Sequence, residues 1–497
     1  MDLSIYPISF FVSGLALIGA SLFAWKHRQN GWGLPMLAVL ATVAAWYHGD
    51  GLYNDYEEYQ VILGDDALNA GWWMVLLFIL TFSFLVLPVH RAINGRLLGR
   101  RSRLLFYAKT GKITDPSIQR NIDQVAKALL VCWVALMTIA LQRKGWDFMG
   151  MFFPYLEGYQ LNPWARGRLG GGISALLSLG SYLQILLAAG FGVIAALARN
   201  PQTRLTAITI CFLALPYFIF DRTRNPMIAT MLPGFLAWVF LRLRVRMIVK
   251  GAILMAALLL ANFWFKAVVV SDMNRGKSVA HALQVIASNQ AAKTGKAEEE
   301  QKIEDLGGEE GKRYRNKHKG LNMFVELAYM SNLFADGLFQ PSWGGRYFAE
   351  AVNVIPRGLW KNKPLVGVDY AIARGFGGER GTTEKGAGIT ASIATGMIGQ
   401  GVVNFGRLLG PMAAALLMSI WVAVLARLDL RGDIGRLLLC AVGMILTFNM
   451  GRDITLFVLY PFVFGYMLLL GWEWWRKGKM HTQMPTTKRR RQPLADR

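Results

Sequence analysis

Gly71-Trp72-Trp73-Met74-Val75-Leu76-Leu77-Phe78-Ile79-Leu80-Thr81-Phe82-Ser83-Phe84-Leu85-Val86-Leu87 is a run of seventeen residues without a charge, with Asp65 and Asp66 before it and Arg91 after it. A helix needs roughly 20 apolar residues to cross a hydrocarbon core of about 30 Å, so this run reads as a membrane span. Runs of the same kind start near Pro7, Leu34, Val125, Ile173, Leu205, Met227, Ile248, Leu408, Leu437 and Ile454, each closed by Arg, Lys, Trp, Gly or Pro. Hydrophobic residues make up 54% of the 497 and the mean hydropathy is positive, which a soluble chain of this length seldom shows. The expected fold is all-α: a polytopic transmembrane helix bundle of about eleven spans.

The 54 Lys and Arg against 31 Asp and Glu would suit nucleic acid or an anionic membrane surface, and their distribution decides between them. Clusters lie at Arg91, Arg96, Arg100, Arg101 and Arg103, at Arg242, Arg244 and Arg246, at Arg427, Arg431 and Arg436, and from Lys488 to Arg491. With the N-terminus outside, alternating spans put all four clusters in the cytoplasm and the acidic loop from Asp50 to Asp66 outside. Membrane lipids are therefore the expected partners, and nucleic acid is not. Lys26, His27 and Arg28 follow the first run, no basic region precedes it, and no small-residue cleavage pattern follows, so it reads as a retained span. Cys132, Cys211 and Cys440 each sit inside an apolar run and read as packing residues.

Four regions follow from this pattern. Residues 1–270 form an N-terminal transmembrane bundle of about eight helices, and 271–390 a large periplasmic loop. Residues 391–475 carry the C-terminal transmembrane helices, and 476–497 a basic cytoplasmic tail. The first half of the loop is dense in mixed charge and poor in aromatics, as in a solvated, mobile insertion. Its second half, Asn322 to Pro364, regains Phe324, Leu327, Tyr329, Trp343, Tyr347, Phe348 and Trp360, as expected of amphipathic pieces that cap the bundle or lie at the interface. The glycine-interrupted stretch Ile389 to Gly406 predicts a re-entrant or broken helix. No internal repeat is visible, which weighs against inverted-repeat transporters.

Charged residues near membrane depth mark candidate sites. Asp221-Arg222-Thr223-Arg224-Asn225-Pro226 and Gly451-Arg452-Asp453 each put guanidinium beside carboxylate in a short outer turn. Two readings fit each turn: an ion pair closing it, or an anion site, since the planar fork of Arg matches phosphate bidentately. Ile355-Pro356-Arg357-Gly358-Leu359-Trp360-Lys361-Asn362-Lys363-Pro364 holds one Arg and two Lys between prolines, as an anion cradle or a juxtamembrane basic segment would. Arg346 and Lys385 add charge nearby. For a base in group transfer, Glu326 lies in a helical context, and Asp221 and Asp453 compete with it. His281 and His318 fall in the charged half of the loop. Zinc spacing, Walker loop, dinucleotide fingerprint and serine elbow are all missing from the sequence, so no metal and no cofactor are expected.

The stretch Tyr347 to Pro364, with its Pro-Arg-x-x-Trp-x-x-Lys-Pro core, resembles the loop motif of oligosaccharide repeat unit polymerases, the Wzy-type O-antigen polymerases. Gly399-Gln400-Gly401-Val402-Val403-Asn404-Phe405-Gly406 is similar to the glycine-rich step that comes after the motif in that family, and the Arg452 and Asp221–Arg224 turns are placed alike. Residues 1–200 match in hydropathy only, and the charged insertion before Asn322 and the odd span count depart from the family pattern. The resemblance implies a metal-independent glycosyltransferase on the periplasmic face of a bacterial inner (plasma) membrane. It would polymerise undecaprenyl-diphosphate-linked oligosaccharide units into a surface polysaccharide such as O-antigen, capsule or exopolysaccharide. It further implies that Arg222, Arg224, Arg357, Lys363 and Arg452 hold the diphosphate and that Glu326 or Asp221 serves as base, with a chain-length regulator and a flippase as partners. An O-antigen ligase shares the loop and the donor. A polyprenyl-phosphate-sugar glycosyltransferase would use an acid in the Asp50–Glu58 loop, and a polysaccharide exporter or flippase, or a membrane scaffold, also remains open.

Overall fold

The computed structural model describes residues 3–97, 100–110, 115–148, 172–219, 322–352, 367–374, 394–431, 433–452 and 458–482, with short stretches and single positions between them. All the regular structure among these residues is helical, and four helices are long and apolar enough to cross a membrane. In chain order the elements are α1 (Ile8–Lys26), α2 (Gly33–Val43), α3 (Gly49–Tyr53), α4 (Tyr56–Leu63), α5 (Asp65–Asn94), α6 (Arg103–Thr110) and α7 (Pro116–Arg143). They continue as α8 (Gly172–Leu197), α9 (Pro201–Ile219), α10 (Met323–Ala335), α11 (Gly345–Val352), α12 (Val368–Ala373), α13 (Gly396–Arg431), α14 (Ile434–Met450) and α15 (Tyr460–Thr482). The chain is thus an all-α, membrane-embedded protein. The expected span near Met227, all but single positions of the one near Ile248, the charged half of the loop and the tail beyond Thr482 lie outside the described residues, while 476–482, expected in the basic tail, continue α15.

Local sequence sets the helix ends. Asp55 accepts the Glu58 N–H at the start of α4, Asp433 the Arg436 N–H at the start of α14, and Asp115 the Ser117 N–H ahead of Pro116. Each carboxylate satisfies a donor that the first turn leaves orphaned. Along α1 the residues Ile8, Leu15, Ile18 and Leu22 form one exposed stripe, with Leu15 70% exposed. That stripe suits lipid, because an apolar side chain in a bilayer gains nothing by hiding from its neighbours.

Cohesion inside the bundle comes from close packing. α5 runs through the centre against α1, α10 and α13. Phe324 of α10 stacks on Trp72 of α5 at 3.9 Å between ring centroids, and Trp72 in turn meets Phe10 of α1 edge-on at 4.9 Å. Ten of the thirteen residues of α10 are buried, on every side of the helix. This differs from the amphipathic cap expected of that segment. At thirteen residues α10 is too short to span, yet it is apolar all round, and such a helix belongs in a core.

The glycine-rich stretch before Leu408 does break. Gly406 has φ +79° and ψ −177°, which divides α13 into 396–405 and 407–431. A side chain added at Gly401 would lie 2.1 Å from the Gly410 carbonyl oxygen, and one at Gly410 would lie 2.5 Å from Val402 Cα. Residues nine apart in a straight helix would be separated by about 13 Å, so the two limbs double back with their backbones in contact. Glycine is required at both positions by that approach and at Gly406 by the turn.

Candidate functional site

At one end of the bundle, near the start of α1 and α5, charges sit where water does not. α2 passes into α3 through a π-helical turn, Ala44–His48, and the extra residue per turn helps set the direction in which α3 faces. Two side chains three positions apart, Tyr47 and Asp50, are both fully buried here. The Asp50 carboxylate accepts the Phe324 N–H at 2.7 Å and the Val325 N–H at 3.1 Å. It therefore caps α10 from another part of the chain, where Asn322 supplies no side-chain cap. Asn54 and Tyr59 donate to its second oxygen. Tyr47 Oη accepts the Ile398 N–H at 2.9 Å, at the start of the 396–405 limb. The far end of that limb is closed by Ser342 N and Trp343 N, which donate to the Val403 and Asn404 carbonyls.

Glu326, one turn into α10, is 1% exposed. Arg374, just beyond α12, grips it bidentately, Nε to Oε2 and Nη2 to Oε1, both at 3.0 Å. Tyr370 Oη donates to Glu326 Oε2 at 2.8 Å, and the Arg374 guanidinium lies 3.5 Å from the Tyr329 ring centroid. Burial and the neighbouring Glu326 carboxylate together push the Tyr370 hydroxyl well above its ordinary range. Burial works against the Arg374 charge, and the facing carboxylate outweighs it, leaving the guanidinium above its usual value. Both Glu326 oxygens are thus engaged, Oε1 by Arg374 and Oε2 by Arg374 and Tyr370.

Beside this pair lies a second group that is less completely answered. Arg346 of α11 is 7% exposed, and its Nε is 3.5 Å from Glu350 Oε1. Among the described residues, its Nε and Nη1 make no hydrogen bond. The Gln400 amide donates to both Glu350 oxygens, at 3.3 and 3.2 Å, while Gln400 Oε1 and the buried Tyr347 hydroxyl also stay unpartnered. Tyr347, Glu350 and Arg346 are close enough for their charges to influence one another, and burial raises the Tyr347 hydroxyl above its ordinary value. The Arg346 guanidinium also stands 5.9 Å from the Tyr370 ring centroid, which joins the two groups. A buried cation short of hydrogen bonds costs free energy on the order of 1–3 kcal/mol or more, which sets Arg346 apart from the fully engaged Arg374.

Of the other expected residues, Lys363 is buried and donates to the Ile355 carbonyl at 2.9 Å, closing the motif loop on itself. Arg452 is half-buried, and its carbonyl accepts the Gly396 N–H, so its turn abuts the start of the 396–405 limb. Asp221, Arg222, Arg224, Arg357, Lys385 and Asp453 lie outside the described residues. Sequence reasoning did not single out Tyr370, Arg374, Glu350 and Gln400. The i, i+4 spacings Arg346/Glu350 and Tyr370/Arg374 could have signalled one-sided helical pairs. Nothing local signals the match of Arg374 with Glu326, 48 positions apart. The described residues contain no cluster of His, Cys, Asp or Glu able to hold a metal ion. No protein-family model, curated protein or solved structure matches the chain.

Proposed function

We propose that this protein is a membrane glycosyltransferase that polymerises undecaprenyl-diphosphate-linked oligosaccharide units on the periplasmic face of a bacterial inner membrane. The observation that carries the reading is Arg346: a buried guanidinium ion-paired with Glu350 at 3.5 Å whose Nε and Nη1 make no hydrogen bond among the described residues, just ahead of the Tyr347–Pro364 motif and within a folded part of the bundle. A diphosphate is the anion best matched to such a fork, because it offers oxygens at bidentate spacing and keeps its charge at neutral pH.

In this proposal Arg346 joins Arg357, Lys363, Arg452, Arg222 and Arg224 around the diphosphate of the growing chain. A hydroxyl at the non-reducing end of the incoming unit attacks the anomeric carbon, a new C–O bond forms, and the bond from that carbon to the diphosphate oxygen breaks with inversion. The cations stabilise the negative charge that collects on the leaving oxygen. Asp221 is the preferred base for the hydroxyl proton, since Glu326 is engaged by Arg374 and Tyr370. Glu326 then acts by position, fixing the α10–α12 junction against which Arg346 rests. The proposal includes about eleven spans, an outer N-terminus, a cytoplasmic C-terminus, and a chain-length regulator and flippase as partners.

The test is deletion of the gene in its host, with surface polysaccharide and lipid-linked intermediates separated by size after complementation. Wild type should restore a ladder. Arg346→Ala should leave single repeat units, while Arg346→Lys, with a charge but no fork, should restore short ladders at most. A full ladder with Arg346→Ala at normal protein level would sink the proposal. A ladder that forms on the lipid carrier in the deletion strain and stays there would indicate a ligase instead.

A further inference from the structure

The opposite end of the bundle carries a different kind of charge, whose meaning does not depend on polymerase activity. α1 has 19 residues and is about 28 Å long, so the turn after Lys26 lies a membrane thickness away from the buried site. Three segments meet there. The turn after α1 pairs with the stretch before α6 through an antiparallel bridge between Asn30 and Arg101 and through Ser102 N donating to the Gln29 carbonyl at 2.7 Å. The end of α13 joins them, since Arg427 donates to the Ile93 carbonyl and the buried Asp429 accepts the Leu104 N–H at 2.8 Å.

This assembly gathers Arg91, Arg96, Arg100, Arg101, Arg103 and Arg427 on one exposed surface. None of them forms a salt bridge among the described residues; the nearby Asp429 is buried, is held by the Ser102 hydroxyl and by backbone N–H groups of Arg103 and Leu104, and feels the charge of Arg103. Apolar groups are exposed beside the cations: Phe106 of α6 and Trp25 of α1, with the Arg28 guanidinium 4.6 Å from the Trp25 ring centroid. Cations level with exposed aromatics at the ends of spans is the arrangement that headgroups meet in a bilayer; an acidic soluble partner would not need the aromatics.

We infer that this surface is a binding site for anionic phospholipid headgroups, built by folding the α1–α2 turn onto the α5–α6 connection. Arg101 and Arg103 are its centre, because the bridge fixes the backbone at Asn30–Arg101 and both side chains are exposed, Arg103 near enough to the buried Asp429 for their charges to interact. The side chains are exposed, so replacing them leaves the fold intact.

The full-length protein in detergent, titrated with dioleoyl phosphatidylglycerol and separately with dioleoyl phosphatidylcholine and read by native mass spectrometry, tests this. The anionic lipid should bind more tightly than the zwitterionic one. Arg101→Gln/Arg103→Gln should weaken it by about 25-fold, from roughly fivefold per guanidinium at an anionic surface. Arg199→Gln/Arg204→Gln, the same charge change on the α8–α9 turn, should weaken it less than twofold. Equal affinity for the two lipids, a change under twofold in the Arg101/Arg103 variant, or equal losses in both variants would overturn the inference.

Discussion

The two ends of this bundle are both rich in charge and treat it in opposite ways. At the end that holds Glu326, Arg374, Arg346 and Asp50, every one of these side chains is buried, and the carboxylates of Glu326 and Asp50 have hydrogen-bond donors on both oxygens. At the end that holds Arg96, Arg101 and Arg103 the cations are exposed and form no salt bridge among the described residues. The difference is one of dielectric. A charge taken from water must be answered by contacts within hydrogen-bond distance, whereas a charge left in water is largely screened and needs only to face the right surface. The first end is therefore specified by geometry and the second by sign and location. Arg346 belongs to the first by burial and to the second by its unanswered donors, which is why it marks the candidate site.

Substitutions can break this contrast. The largest loss is expected from Glu326→Ala, which strands Arg374 and should cost about 3–5 kcal/mol, seen as loss of the folded protein from the membrane fraction. The double variant Glu326→Gln/Arg374→Met should recover most of that in thermal unfolding in detergent, and it would show whether stability and polymer synthesis part company. Next comes Gly401→Leu, which drives a side chain into the Gly410 carbonyl and should cost roughly 3 kcal/mol by prising the two limbs apart. Asp50→Ala orphans the Phe324 and Val325 N–H groups and should cost about 1–2 kcal/mol, measurable as a lower unfolding midpoint. Arg346→Met should leave the midpoint unchanged or raise it while abolishing the ladder; a fall as large as that of Glu326→Ala would mean that Arg346 is structural. The smallest effect, no detectable change in midpoint, is expected of Arg101→Gln.

Three spans were legible because length without charge is a local property: the uncharged runs from Pro7, Gly71 and Val125 lie within α1, α5 and α7 or start at their edge, and α5 and α7 extend further back through polar first turns such as Asp65–Asp66. The break at Gly406 was legible for a similar reason, since glycine spacing advertises it. α10 was misread because, in a membrane protein, apolar residues in a piece too short to span look interfacial until the surrounding helices are known. The site was legible in its residue types only. Glu326 and Lys363 stood out as charges in apolar company. That Arg374 would occupy Glu326, that Lys363 would turn back to Ile355, or that Arg346 would be left short depends on contacts between segments, and one sequence contains no record of those.

The trans-caps of Tyr47 and Asp50 also set a schedule for biosynthesis. Asp50 meets its partner Phe324 274 positions later in the chain. At about 5–20 residues per second that interval lasts roughly 14–55 s, during which α2 and α3 are already made. For that time Asp50 Oδ2 and the Tyr47 hydroxyl lack the backbone N–H donors of Phe324, Val325 and Ile398, with only Asn54 and Tyr59 at hand for the other Asp50 oxygen, and they must stay in water or borrow a partner. The N-terminal helices are therefore expected to enter the bilayer loosely and to close only when the segment from 323 to 398 arrives. A nascent chain halted before Met323 should accordingly be open to a water-soluble carboxyl reagent at Asp50, and the finished protein should not.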